Sequence, residues 1–129
     1  MPEKSNAQKL LIRDGYRVMF IHPPENNSAL LGAIPSNVSL ATSSDTGVDF
    51  ILAYLVDRKE LEKHLADLKI RLKPDGLLWV AYYKGTARVK TDINRDILRA
   101  YAKTLGLEAV TLISLDEDWS AMRFKVVEK

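Results

Sequence analysis

Cysteine is absent from this sequence, and its absence excludes several kinds of site at once. A chain without thiols forms no disulfide framework, thiolate zinc site, iron–sulfur cluster or cysteine nucleophile. The absence also agrees with a reducing compartment. Long apolar segments are missing as well, because the two longest runs, Phe50–Val56 and Leu77–Tyr83, have the length of strands and fall far short of a membrane span. Residues 1–15 are polar and basic without the apolar region of a secretory signal, so we predict a cytoplasmic protein that does not bind a membrane.

The sequence also has little excess charge of either sign. It contains 19 lysines and arginines against 17 acidic residues, which gives a net charge of +2. Basic and acidic residues alternate in the segments 57–64 and 92–99, a pattern typical of a solvated helix surface. Because a nucleic-acid-binding surface needs clustered positive charge, we predict no nucleic-acid partner.

The short motifs of several enzyme classes are missing too. The sequence has no G-x-S-x-G elbow of a serine hydrolase and no G-x-x-x-x-G-K-[ST] phosphate loop. Its two histidines, His22 and His64, are far apart in the sequence, and Asp116–Asp118 lacks the ligand pattern of a calcium loop. We therefore predict no catalytic residue and no metal site, and we place His64 on the exposed face of a helix.

The length and the apolar pattern predict one domain. A chain of 129 residues with 47% hydrophobic residues can bury a core without metals or cross-links. We predict a disordered tail over residues 1–8 and a single α/β domain over residues 9–129. The apolar runs predict six strands: Tyr16–His22, Asn37–Thr42, Val48–Val56, Leu77–Tyr83, Glu108–Leu115 and Trp119–Val127.

Helical segments alternate with these strands. Arg58–Leu72 repeats leucine at helical spacing, and Asp57 with Glu60 has the pattern of a capping box. Lys73–Gly76 is typical of a tight turn, and Thr91 is predicted to cap a further helix. The alternation predicts a three-layer α/β sandwich with a Rossmann-like, mostly parallel sheet. Its predicted strand order is 2-1-3-4-6-5, with an antiparallel closing strand six.

The stretch from Val48 to Val127 resembles the C-terminal half of the class I S-adenosylmethionine-dependent methyltransferases. The resembling pieces are "VDFILAYLV", "LKPDGLLWVAYY", "LGLEAVTLIS" and "DWSAMRFKVV", and the second of them, a K-P-D-G turn before a buried strand, is the most specific. In that family such pieces form a strand, a turn with a central strand, a helix end with a strand, and the closing antiparallel strand. The resemblance implies a methyltransferase-like fold.

The opening of the chain departs from that family. In the family, the first strand leads into a glycine-rich turn against the cofactor, and the second ends in an acid that binds ribose. Here the first strand leads into Pro23-Pro24, which lack backbone N–H groups, and the second into Thr42-Ser43-Ser44. We therefore predict no cofactor and a non-catalytic domain, binding a small molecule or a partner, that has lost the methyltransferase cofactor loop. The alternative is a minimal S-adenosylmethionine-dependent methyltransferase with an atypical pocket.

Nearly the whole chain after residue 8 also resembles a family of small, uncharacterised bacterial proteins with a truncated fold of this kind. The resemblance rests on the opening "LLIRDGYRVMFIHPPENNSALLG", on "LWVAYYKGTARVKTDINRDILR" and on "DEDWSAMRF". It implies a bacterial, cytoplasmic setting and no particular activity.

A ligand site is predicted at the carboxyl ends of the parallel strands, where open α/β sheets bind their ligands. The basic loop from Lys84 to Thr91 enters a helix N-terminus, where backbone N–H groups favour anions. We therefore predict a small anionic ligand held by Lys84 and Arg88, and we leave a homodimer open. The predicted ligand-binding residues are His22, Glu25, Asn26, Asp57, Tyr83, Lys84 and Arg88.

Overall fold

The computed structural model describes residues 5–42, 45–85 and 91–127. The described residues contain four helices and six strands. The helices are α1 (Asn6–Lys9), α2 (Asn27–Leu31), α3 (Arg58–Arg71) and α4 (Arg95–Thr104). The strands are β1 (Arg17–Ile21), β2 (Ser39–Leu40), β3 (Val48–Tyr54), β4 (Leu72–Tyr83), β5 (Leu107–Ser114) and β6 (Trp119–Val126).

All six strands belong to one sheet in the order β2-β1-β3-β4-β6-β5. The strands β2, β1, β3 and β4 pair in parallel in that order, whereas β6 runs antiparallel to both β4 and β5. The predicted α/β class, strand order and antiparallel closing strand are therefore confirmed. Parallel strands joined by helices are buried on both faces, which explains the continuous apolar runs of β3 and β4.

Helices cover both faces of the sheet and divide its core into two layers. On one face α3 contributes Leu61, Leu65 and Leu68, which are at most 2% exposed. Leu98 and Ala102 of α4 extend this layer. On the other face the short helices α1 and α2 pack over the layer that contains both tryptophans. No helix among the described residues is long and apolar enough to cross a membrane.

The predicted turn at Lys73–Gly76 is wrong, because these residues are extended and belong to β4. Helix α3 ends at Arg71, and Leu72 already pairs with Val48 before the register shifts. Proline disfavours helical backbone at the residue before it, which ends α3 without requiring a turn. A Cβ atom on Gly76 would lie 2.8 Å from Leu72 Cδ1, so a larger residue here would have to displace the Leu72 side chain.

Asp57 begins α3, as the sequence predicts. Its Oδ1 accepts a hydrogen bond of 2.9 Å from the Glu60 backbone N–H. The reciprocal half of the predicted capping box is wrong, because Glu60 Oε1 accepts at 3.3 Å from the N–H of Val56, one residue before the cap. Glu60 therefore connects the first turn of α3 to the turn that follows β3.

We expect the Asp57→Ala substitution to lower the free energy of unfolding by about 1 kcal/mol, because it removes the acceptor of an otherwise unpaired helix N–H group. Urea denaturation followed by circular dichroism measures the difference. Lys59→Ala, an exposed change in the same turn, is the control. A loss of equal size in both variants would contradict the capping role.

Helix α4 begins later than predicted. Asn94, whose Oδ1 accepts from the Ile97 N–H at 2.9 Å, is its N-cap, and Thr91 is not. The Thr91 hydroxyl instead donates to the Val56 carbonyl. The segment before α4 is thus bound to the turn between β3 and α3.

The prediction of a disordered tail over residues 1–8 is wrong for its second half. Ser5 caps α1 with a full capping box to Gln8, and Ala7 is 1% exposed in the core. The packing of Ala7 and Leu10 beneath the sheet orders this segment. Residues 1–4 lie outside the described residues.

Candidate functional site

The carboxyl ends of β1 and β3 meet where the strand order of the sheet reverses. The chain leaves β1 toward the face covered by α2, and it leaves β3 toward the opposite face, covered by α3. A crevice opens at such a point in parallel α/β sheets. His22, which follows β1, and Asp57, which follows β3, lie at this point.

A cavity of about 430 Å³ opens beside α3 at this edge. We call it the histidine cavity, because both histidines of the chain line it. Two carboxylates and two ammonium groups complete its wall. Its lining residues are His22, Asp57, Lys59, Glu60, Lys63 and His64.

His22 is held in an uncommon backbone conformation. Its φ of 52° is in the left-handed region, which non-glycine residues seldom adopt. Its Nδ1 lies 3.6 Å from Glu60 Oε1, which is too far for a hydrogen bond. Strained backbone of this kind clusters at functional sites, so His22 is the strongest single candidate in the cavity.

His64 lies against His22, which corrects its predicted position on the exposed face of the helix. The ring centroids are 4.9 Å apart, and the rings are nearly perpendicular, at 85°. Burial lowers the pKa of His64, and the positive charges of His22 and Lys63 lower it further. Glu60 and Asp67 oppose this shift. His64 therefore favours its neutral form near pH 7.

A second cavity, of about 320 Å³, lies at the carboxyl end of β4. We call it the lysine cavity after Lys84, which lines it with Tyr83 and the residues that lead into α4. Lys84 Nζ donates to Ser114 Oγ at 2.6 Å, so β5 holds its ammonium group. Tyr83 stacks on Trp119 with ring centroids 4.2 Å apart.

The predicted ligand-binding residues do not line one common cavity. His22 and Asp57 line the histidine cavity, whereas Tyr83 and Lys84 line the lysine cavity. The segment before α4 lines the second cavity and is bound to the turn that carries Asp57, because Asp92 Oδ1 accepts from the Arg58 N–H at 2.8 Å.

The remaining predicted residues lie elsewhere. Glu25 and Asn26 are exposed and line neither cavity. The neighbouring Asn27 accepts a hydrogen bond of 2.7 Å from the Tyr54 hydroxyl, which ties the start of α2 to the end of β3. Arg88 lies outside the described residues.

Sequence analysis overlooked the α3 side of the histidine cavity. Glu60 and His64 are four residues apart, and this spacing places them on one face of a helix, one turn from each other. The sequence already predicted that Asp57 begins this helix at the strand ends where a ligand is expected. The four-residue spacing of Glu60 and His64 therefore could have revealed them as further candidates for the site. No group of three or more residues suited to hold a metal ion occurs within residues 5–42, 45–85 and 91–127.

No protein-family model matches the sequence, and no curated protein matches it either. Solved structures do match. A TehB-like SAM-dependent methyltransferase from Corynebacterium glutamicum aligns with a TM-score of 0.61 and 13% identity, over 96% of this chain and 89% of that one. A SAM-dependent methyltransferase from Aquifex aeolicus gives 0.58 and 16%, over 95% and 90%.

A third matching structure contains ligands. It is the 1,6-didemethyltoxoflavin-N1-methyltransferase of Burkholderia thailandensis with bound 1,6-didemethyltoxoflavin and S-adenosylhomocysteine, with a TM-score of 0.62 and 11% identity. The alignment covers 95% of this chain and 77% of that one. These likenesses extend over nearly the entire chain. The chain therefore has the Rossmann-like α/β fold of the S-adenosylmethionine-dependent methyltransferases.

Proposed function

We propose that this chain is a minimal S-adenosylmethionine-dependent methyltransferase whose atypical cofactor pocket is the histidine cavity. The observation that carries the proposal is the position of this cavity, at the ends of β1 and β3 in a methyltransferase-like sheet. Ligands of open α/β sheets bind at this reversal of strand order. The matching structures favour this function over the non-catalytic domain predicted from the sequence, because they are methyltransferases.

The side chains of the cavity suit the charges of this cofactor. S-adenosylmethionine carries a sulfonium, an ammonium and a carboxylate group. The carboxylates of Asp57 and Glu60 would face the two cationic groups, and the ammonium groups of Lys59 and Lys63 would face the carboxylate. Such charge complementarity gives orientation and specificity more than affinity.

The pocket is atypical because its contacts come from side chains. The turn after β1 contains Pro23 and Pro24, which offer no backbone N–H to a ligand. Thr42 follows β2 in place of a carboxylate for the ribose hydroxyls. Exposed charge pairs are weak and screened by salt. Binding is therefore expected to be weak and to weaken further as the salt concentration rises.

When bound, the cofactor supplies an electrophilic methyl group. The residues of this chain have the tasks of binding and orientation. Asp57 is fixed by its bond to the Glu60 N–H, and Glu60 by its bond from the Val56 N–H, so both carboxylates are held before a ligand enters. Preorganised groups lose little freedom on binding, so these residues would hold a bound cofactor in a defined orientation.

We expect S-adenosylmethionine to bind with a dissociation constant of roughly 100 μM, about −5.5 kcal/mol. Titration of the ¹⁵N-labelled protein should shift amide signals around His22 and at the start of α3. Glu60→Gln should weaken binding about fivefold, roughly 1 kcal/mol, because it removes one charge from the wall.

Glu62→Gln is the matched control, since Glu62 is on the same helix, pairs with Arg58 at 3.6 Å and does not line the histidine cavity. Absence of any shift at millimolar cofactor, or equal weakening by both variants, would refute the proposed site. Methyl transfer is then tested by release of S-adenosylhomocysteine with a panel of small acceptors.

A second candidate function is the binding of a small anion without catalysis in the lysine cavity. The observation that favours it is that Lys84 and the residues that lead into α4 line one cavity. The N-terminus of a helix favours anions. Inorganic phosphate added in the same titration distinguishes the two functions. Shifts confined to Lys84 and the start of α4 would support this second function.

A further inference from the structure

We propose that His22 and His64 form one proton-binding unit, in which a first proton opposes the binding of a second and double protonation separates the rings. The unit would control the charge and the width of the histidine cavity in the mildly acidic range. This inference goes beyond the proposed function, because it concerns the protein without any ligand.

The geometry of the pair carries the proposal. The centroids of the two rings are 4.9 Å apart in an edge-to-face arrangement. An edge-to-face contact is favourable while at least one ring is neutral, because a positive ring edge meets a negative ring face. When both rings carry a proton, two positive charges lie at contact distance and repel each other.

The surrounding charges distinguish the two histidines. His22, at the end of β1, has Glu60 at 3.6 Å, and its side chain is 49% exposed. His64, on α3, is partly buried and has the Lys63 ammonium as a neighbour, both of which oppose its protonation. Glu60 and Asp67 act in the opposite direction on His64. The remaining charged groups of the cavity wall are Asp57 and Lys59.

These positions couple the protonation of the two rings. Burial opposes the protonation of His64. The positive charge of a protonated His22, whose ring centroid is 4.9 Å away, opposes it further. Since His22 is on an exposed turn and His64 is on a helix, separation of the rings is expected to move His22.

The direct test is a pH titration of the ring signals by NMR, from about pH 4.5 to 8, on the full chain. In the wild-type protein we expect the His64 signal to titrate below the ordinary range of a histidine, because burial and the nearby positive charges disfavour its protonated form. In His22→Asn, which keeps a residue tolerant of left-handed backbone, the midpoint of His64 should rise, because the positive charge of His22 is removed. Glu62→Gln, outside the cavity, should leave both midpoints unchanged.

Two outcomes overturn the proposal. One is an unchanged His64 midpoint in His22→Asn. The other is a pair of independent, single-step titrations in the wild-type protein. The circular dichroism of each variant is compared with that of the wild type, so that a change of fold is not mistaken for a change of proton binding. Binding of S-adenosylmethionine is measured separately, and its failure would refute the proposed function without affecting this result.

The pH dependence of the free energy of unfolding gives a second test of the pair formed by His22 and His64. The pKa of His64 is lowered in the folded protein, so the unfolded chain binds its proton first. Stability is therefore lost as the pH falls below about 6.5, toward the lower folded-state pKa. His64→Gln should remove this part of the loss, and a pH dependence between pH 5 and 7 equal to that of the wild type would contradict the proposal.

Discussion

Replacement of Trp79 by alanine is expected to lower the free energy of unfolding by about 3–5 kcal/mol. Trp79 lies in the middle of β4 and is fully buried. Its Nε1 donates a hydrogen bond of 3.0 Å to the Leu10 carbonyl, and the Arg123 guanidinium lies over its ring at 5.9 Å. The substitution therefore opens a cavity and leaves a buried carbonyl without its donor.

Chemical denaturation of Trp79→Ala measures this loss. Because a domain of this kind is stable by about 5–15 kcal/mol, the variant can be largely unfolded, and Trp79→Phe serves as a milder second variant. The phenylalanine fills most of the space but lacks the N–H, and a loss of about 1–3 kcal/mol is expected. Leu40→Ala, at a side chain that is 71% exposed, is the control. Equal stability of Trp79→Ala and the control would contradict the packing described here.

Leu65→Ala is expected to lower the free energy of unfolding by about 2–5 kcal/mol, the second largest effect that we expect. Leu65 is fully buried in the layer between α3 and the sheet. Alanine favours helices slightly more than leucine does, so the loss comes from the cavity and not from the helix itself.

Ile70→Ala on the same helix is the matched control, because its side chain is 74% exposed. We expect a change within about 0.5 kcal/mol for this surface position. Urea denaturation of both variants, followed by circular dichroism, gives the comparison. A cost at Ile70 that approaches the cost at Leu65 would mean that α3 buries a different face.

The fold was predictable because its signals are local and repeated. Buried strands such as Val48–Tyr54 alternate with a helix whose leucines recur at helical spacing. Few topologies other than a parallel sheet accommodate this alternation of strands and helices. The errors occur where tertiary contacts override local preference. Gly76 is extended against Leu72 instead of turning. Asn94 and not Thr91 caps α4, because the Thr91 hydroxyl is bound to the Val56 carbonyl in the turn between β3 and α3.

The site was only partly predictable. The strand-end rule groups His22, Asp57, Tyr83 and Lys84, and in the structure His22 and Asp57 do line one cavity. Tyr83 and Lys84 line another, because the segment before α4, held by hydrogen bonds to Val56 and Arg58, lines their cavity instead. The contact between His22 and His64 joins a strand end to the middle of a helix. Such a contact depends on how the helix packs, which no local pattern specifies.

The place of β6 in the sheet determines when the fold can be completed during translation. β6 lies between β4 and β5, so β5 joins the sheet only through a strand that the ribosome makes after it. Until Trp119–Val126 have emerged, β4 presents an open apolar edge, and β5 has no partner. Open edges of this kind pair readily with other chains. A ribosome that stalls before Trp119 therefore carries a nascent chain prone to aggregation, although nearly all of the hydrophobic core has already been synthesised.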